Sequence, residues 1–71
     1  MIMKKIDNYI RFQATVMKEG VDKGEIRISE ELLQEQKEGV IGHCLDLNPN
    51  MLRAEIEQSV NKIFADVLGI E

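Results

Sequence analysis

The chain has 71 residues, 44% of them hydrophobic and 31% charged, and its 9 Lys plus Arg against 13 Asp plus Glu give a net charge of −4. That length makes one small domain, 1–71, which buries only about 60% of its unfolded surface, while the apolar content argues against disorder throughout. The acidic balance repels phosphate backbones and disfavours direct nucleic-acid binding.

Tyr9, Phe12 and Phe64 are the only aromatic residues, so aliphatic and methionine side chains must build the core. Cys44 is the only cysteine, which excludes an internal disulfide framework and fits a reducing compartment. The chain is therefore expected to be cytoplasmic, with a bridge between two copies as the one disulfide left open. The start MIMKKI places lysines after its apolar residues, and no apolar run approaches the roughly 18–20 residues of a membrane span or the uncharged core of a signal peptide. No membrane or targeting role is expected.

The first predicted element runs from about Met3 to Glu19. On a helical wheel Met3, Ile6, Tyr9, Ile10, Ala14, Val16 and Met17 fall on one side and the charged residues on the other. Gln13 is polar inside that stripe and Phe12 apolar outside it. The competing pattern is a β-hairpin, because Ile10, Phe12, Ala14 and Val16 alternate with Tyr9, Arg11, Gln13 and Thr15, and Ile26 with Ile28 could return as the second strand. Separation of charge over the whole segment favours the helix. Gly20 can end it in the left-handed conformation, and Gly20 to Gly24 read as a connector.

A second helix is expected from Glu30 to about Leu47. Ser29 is placed as its N-cap, and Glu30 and Glu31 sit in the first turn, where negative charge suits the helix dipole. Its stripe is Leu32, Leu33, Val40, Cys44 and Leu47, with the polar Gln36 and His43 in the same arc. Gly39 and Gly42 lie opposite among Glu31, Glu35 and Glu38, each weakening the helix by about 1 kcal/mol relative to alanine. Close approach of another helix is the usual compensation.

The last third carries the clearest pattern. Asn48 can accept an N-cap hydrogen bond, Pro49 suits the first helical position, and Leu52, Ile56, Val60, Ile63, Phe64 and Val67 share an arc of about 120° at 100° per residue. Arg53 with Glu57 and Lys62 with Asp66 are spaced as i,i+4 pairs. Gly69 stands near the end.

Few residues could carry chemistry. His43 and Cys44 are the single histidine and the single cysteine, too few for a zinc cage in one chain, and neighbours on a helix point about 100° apart, so His43 is not placed to act as base for Cys44. A symmetric site offered by two chains is the residual alternative. Gln36 and His43, seven positions apart, could bond to neighbouring groups, anchor a partner or orient a small ligand in an apolar pocket. No phosphate-binding loop follows Gly20 or Gly24. No catalytic residues, metal site or cofactor are expected.

The string Glu19-Gly20-Val21-Asp22-Lys23-Gly24-Glu25-Ile26-Arg27 resembles a stretch in the C-terminal domain of TetR-type transcriptional regulators. There a helix ends at such a glycine, a "G-E-x-R" turn follows, and two further helices complete the domain. Glu38-Gly39-Val40-Ile41 resembles part of that family's penultimate helix and Ile63 to Ile70 its closing helix. The resemblance covers residues 12–70 and implies that the last two helices pack against a twin in a four-helix dimer interface. The family's N-terminal helix-turn-helix has no match here, so DNA binding is not carried over. The ending Asn61 to Glu71 is also similar to the first helix of acyl or peptidyl carrier proteins, but their prosthetic serine has no counterpart here.

The expected architecture is thus all-α, three helices with a C-terminal antiparallel hairpin, dimeric. Val40, Cys44, Ile56, Val60, Ile63, Phe64 and Val67 are the expected interface. The expected function is non-catalytic, regulatory protein association, with binding of a small-molecule effector through Gln36 and His43 as the alternative.

Overall fold

The computed structural model describes residues 2–69, with side chains from Lys4 onward; the side chain at the predicted stripe position Met3, and the closing Ile70, lie outside what it describes. The chain is all-α, with α1 at Ile2–Asp22, α2 at Glu30–Leu47 and α3 at Arg53–Leu68, and no strand among the described residues. Helix α3 packs against both α1 and α2, whereas α1 and α2 touch each other only sparingly.

The hairpin pattern in α1 dissolves once side chains are placed. Ile10 and Ala14 are buried while Phe12 and Val16 are exposed, and in a helix those two pairs lie on different sides. The buried face is Ile6, Ile10, Ala14 and Met17, at the i, i+4, i+8, i+11 spacing of one helical stripe.

Gly20 does not end α1. It lies inside the helix and is buried, because the Ile26 side chain folds back over it. A Cβ there would stand 2.9 Å from Ile26 Cγ1 and closer still to Cδ1. The Glu25 and Ile26 N–H groups both donate to the Gly20 carbonyl, at 2.9 and 3.2 Å. The left-handed residue is instead Gly24, with φ 76°, which turns the chain just beyond the last helical residue.

Ser29 caps α2 as expected, its Oγ accepting from the Leu32 N–H at 3.1 Å. The start of α3 is a correction. Asn48 is the C-cap of α2, not the N-cap of α3: its backbone N–H donates to the Cys44 and Leu45 carbonyls, and its Nδ2 donates to Cys44 O at 3.2 Å. Pro49, just beyond, cannot continue α2. The chain turns through 49–52 and α3 begins at Arg53 with Leu52 as an N-cap that makes no side-chain bond. Leu52 therefore leaves the predicted stripe and is 66% exposed. At the other end Gly69 takes φ 71° and donates to Ala65 O, a glycine C-cap.

The core is one cluster of Ile6, Ile10, Ala14, Met17, Val40, Ile41, Cys44, Ile56, Val60, Ile63 and Phe64. Exposed ion pairs cross between helices at its edge: Arg53 joins Glu38 of α2 as well as Glu57 in its own helix, and Arg11 of α1 meets Asp66 of α3 at 3.5 Å. Asp66 thus has an interhelical partner, where i,i+4 spacing had suggested Lys62. Such half-exposed pairs contribute little individually.

Among the described residues, and apart from its chain neighbours and its own helix backbone, nothing lies within 4 Å of a Cβ built on Gly39 or Gly42. No described helix approaches closely enough to require them. Gly39→Ala and Gly42→Ala should each raise stability by about 0.5–1 kcal/mol in urea unfolding, the ordinary gain from replacing glycine inside a helix. A loss of stability at either position would mean that another surface packs there.

Candidate functional site

Since α3 is the helix both others lean on, the facing flanks of α1 and α2 leave a groove. The start of α1 lies beside the end of α2, where Lys5, Ile6, Tyr9, Cys44, Leu47 and Asn48 line a hollow of about 320 Å³. At the other end Gln13, Val16, Met17, Ile26, Leu32 and Gln36, flanked by Glu25 and Arg27, line one of about 370 Å³. The two helices therefore run antiparallel along the groove, with Gln36 in one hollow and His43 against Tyr9 of the other.

His43 is held by an aromatic contact. Its ring lies against Tyr9 at 4.8 Å between centroids with the planes tilted by 30°. The expectation that Gln36 and His43 lie buried in an aliphatic stripe is corrected, because both are exposed. The buried arc of α2 runs through Val40, Ile41 and Cys44, and the two polar residues sit roughly a quarter-turn round the helix from it. They do share one flank, as the seven-residue spacing implies. Water satisfies polar groups placed so, and no buried anchor is required of them.

Of the seven residues expected to be buried partly within the chain and partly against a twin, Val40, Cys44, Ile56, Val60, Ile63 and Phe64 are buried by their own chain, and Val67 packs half-buried against the same cluster. The stripe of α3 finds its partner in α1. Sequence reasoning anticipated that α3 needs a cover but undercounted what α1 supplies: Ile6, Ile10, Ala14 and Met17 together close over it.

Cys44 is 2% exposed, and burial pushes its thiol above the ordinary value of 9.0. The thiol form is favoured, which is the reverse of what an activated nucleophile needs. Its neighbour His43 is turned toward Tyr9 at the surface. No group of three His, Cys, Asp or Glu among the described residues is placed to hold a metal ion, and no helix is long and apolar enough to cross a membrane.

What sequence reasoning did not single out is the exposed flank of α1. Phe12 is 62% exposed and Val16 50%, one turn apart, with Val16 at the rim of the groove toward α2. The available signal was Phe12 itself, an aromatic residue outside the apolar stripe. No family model matches the chain, and no curated protein or solved structure does either.

Proposed function

We propose that this chain is a non-catalytic association module that works through surfaces left over once its own core is complete. The observation carrying this is the pair Phe12 and Val16, large apolar side chains standing in water on one helix flank while a full core exists elsewhere. Leu47, 67% exposed at the end of α2, adds to the apolar rim of the groove. Exposed apolar side chains grouped on one face mark contact surfaces more often than isolated ones do.

A regulatory role is what the resemblance to the C-terminal region of TetR-type regulators adds, although α1 runs on past Gly20 to Asp22 where the resemblance implied that the helix ends. A cytoplasmic setting suits the single buried thiol. Association does not use the face that the resemblance suggests, because those residues are occupied inside the chain.

A photo-crosslinking side chain in place of Phe12 in the cell should give a discrete adduct with a protein, and the same group in place of Glu35, on the acidic outer side of α2, should not. Absence of any adduct at position 12, with the protein folded and present, would count against association. A second reading is supported by the groove: a small apolar effector with a polar end could lie between α1 and α2, met by His43 and Gln36. It predicts a rise in melting temperature with such a ligand that disappears in a Gln36→Ala/His43→Ala double variant.

A further inference from the structure

We infer that the partner for the exposed flank of α1 is a second copy of the same chain, laid antiparallel across a two-fold axis at Phe12; this rests on the association reading and names its partner. At 100° per residue Lys5, Phe12, Val16 and Glu19 fall within about 60° of one another on the helix surface. All four are exposed, Lys5 and Val16 at the rims of the two hollows that face α2. Lys5 stands seven residues before Phe12 and Glu19 seven residues after it.

That symmetry has a physical meaning. In a two-fold pairing each contact occurs twice with its roles exchanged, residue i meeting j and j meeting i. With Phe12 on the axis of two antiparallel helices, Phe12 faces Phe12, Asn8 faces Val16, and Lys5 faces Glu19 of the second copy. Both charged pairs are then of opposite sign, and they flank an aromatic and aliphatic centre. Among the described residues neither Lys5 nor Glu19 takes part in an ion pair within the chain, so both are free to make one across the axis.

Charge also argues against the outer side of α2. Two copies of a chain with net charge −4 repel unless the facing surfaces are neutral or complementary. The outer side of α2 presents Glu31, Glu35 and Glu38, so a two-fold there would oppose like charges. The α1 flank carries one positive and one negative residue and is neutral overall.

The interface is one helix flank, well short of the roughly 800 Å² per partner of a standard complex, so the dimer is expected to be weak and dependent on salt. Sedimentation of the full chain at concentrations up to about 1 mM should show a monomer–dimer equilibrium. Lys5→Glu alone, or Glu19→Lys alone, turns both attractive pairs into repulsive ones and should raise the dissociation constant about tenfold. Lys5→Glu combined with Glu19→Lys should return it to within about twofold of the original. Residues 5 and 19 are about 21 Å apart along one helix, so no contact within a chain can produce that recovery.

Phe12→Glu should abolish association while leaving the helical circular dichroism unchanged. Failure of the double reversal to recover dimerisation, or association indifferent to all three substitutions, overturns the α1 interface. In the second case association itself stands and belongs to another face. A wild-type chain that remains monomeric throughout overturns the second copy as the partner, and the crosslinked adduct at position 12 then has the mass of a different protein.

Discussion

Phe64→Ala should leave the chain unfolded at room temperature, seen as loss of the helical circular dichroism signal without a cooperative melt. Phe64 is among the largest fully buried side chains and lies in α3, the helix that joins the other two. Removing a buried phenylalanine side chain costs about 3–5 kcal/mol, from lost transfer energy and the cavity left behind. A single core in a domain of this size rarely supplies more than about 3–5 kcal/mol in total. The substitution therefore consumes essentially all the available stability. Were Phe64 instead the centre of a contact between copies, truncating it would yield folded, dissociated monomers, and that outcome would contradict the core described above.

The second large effect is expected at Gly20→Val. A valine Cβ would fall against Ile26 Cγ1 and Cδ1, and its branch would add further atoms to a helix position that is already buried. Overpacking of this kind costs about 1–3 kcal/mol, and a β-branched residue recovers only part of the helix propensity that glycine forgoes. Urea unfolding should show a loss in that range. Shortening the opposing side chain with Ile26→Ala in the same molecule should restore part of it, so the two substitutions together should be less harmful than their sum. Additive losses would mean that Ile26 does not lie over Gly20.

These two residues also show what could be read from the sequence and what could not. Ser29, Glu30 and Glu31 mark the start of α2 because a cap and two first-turn acids act locally, and the helix begins there. Pro49 is ambiguous in principle: proline suits the first turn of a following helix and equally the residues just past the end of a preceding one. Here Asn48 spends its side chain on Cys44 O, which settles the second role and moves the start of α3 to Arg53. Gly20 and Gly24 were equally permitted as helix terminators, and only the approach of Ile26 separates them. Such a contact between an isoleucine and a glycine six residues earlier leaves no periodic trace.

The candidate site divides in the same way. That Gln36 and His43 share a flank follows from helix geometry alone, and the structure places both on the groove between α1 and α2. That they are exposed depends on the rotation of α2 about its own axis, which is set by how Val40, Ile41 and Cys44 join the shared core and is invisible in α2 taken alone. The unmet need of α3 for a partner was legible, but the partner was α1. The leftover surface then falls on the exposed flank of α1, where Phe12 had stood out as an exception to the stripe.

The claim on which the rest depends is that one chain completes its own core, so that folding precedes association. It is tested most directly by thermal unfolding of the Phe12→Glu variant at about 2 µM and about 200 µM, because any linkage between assembly and folding makes the midpoint depend on concentration. The same midpoint at both concentrations, with full helical signal and a monomeric mass, is the expected result. A midpoint that climbs with concentration, or helix that disappears on dilution, would show that the chain needs a second copy to fold.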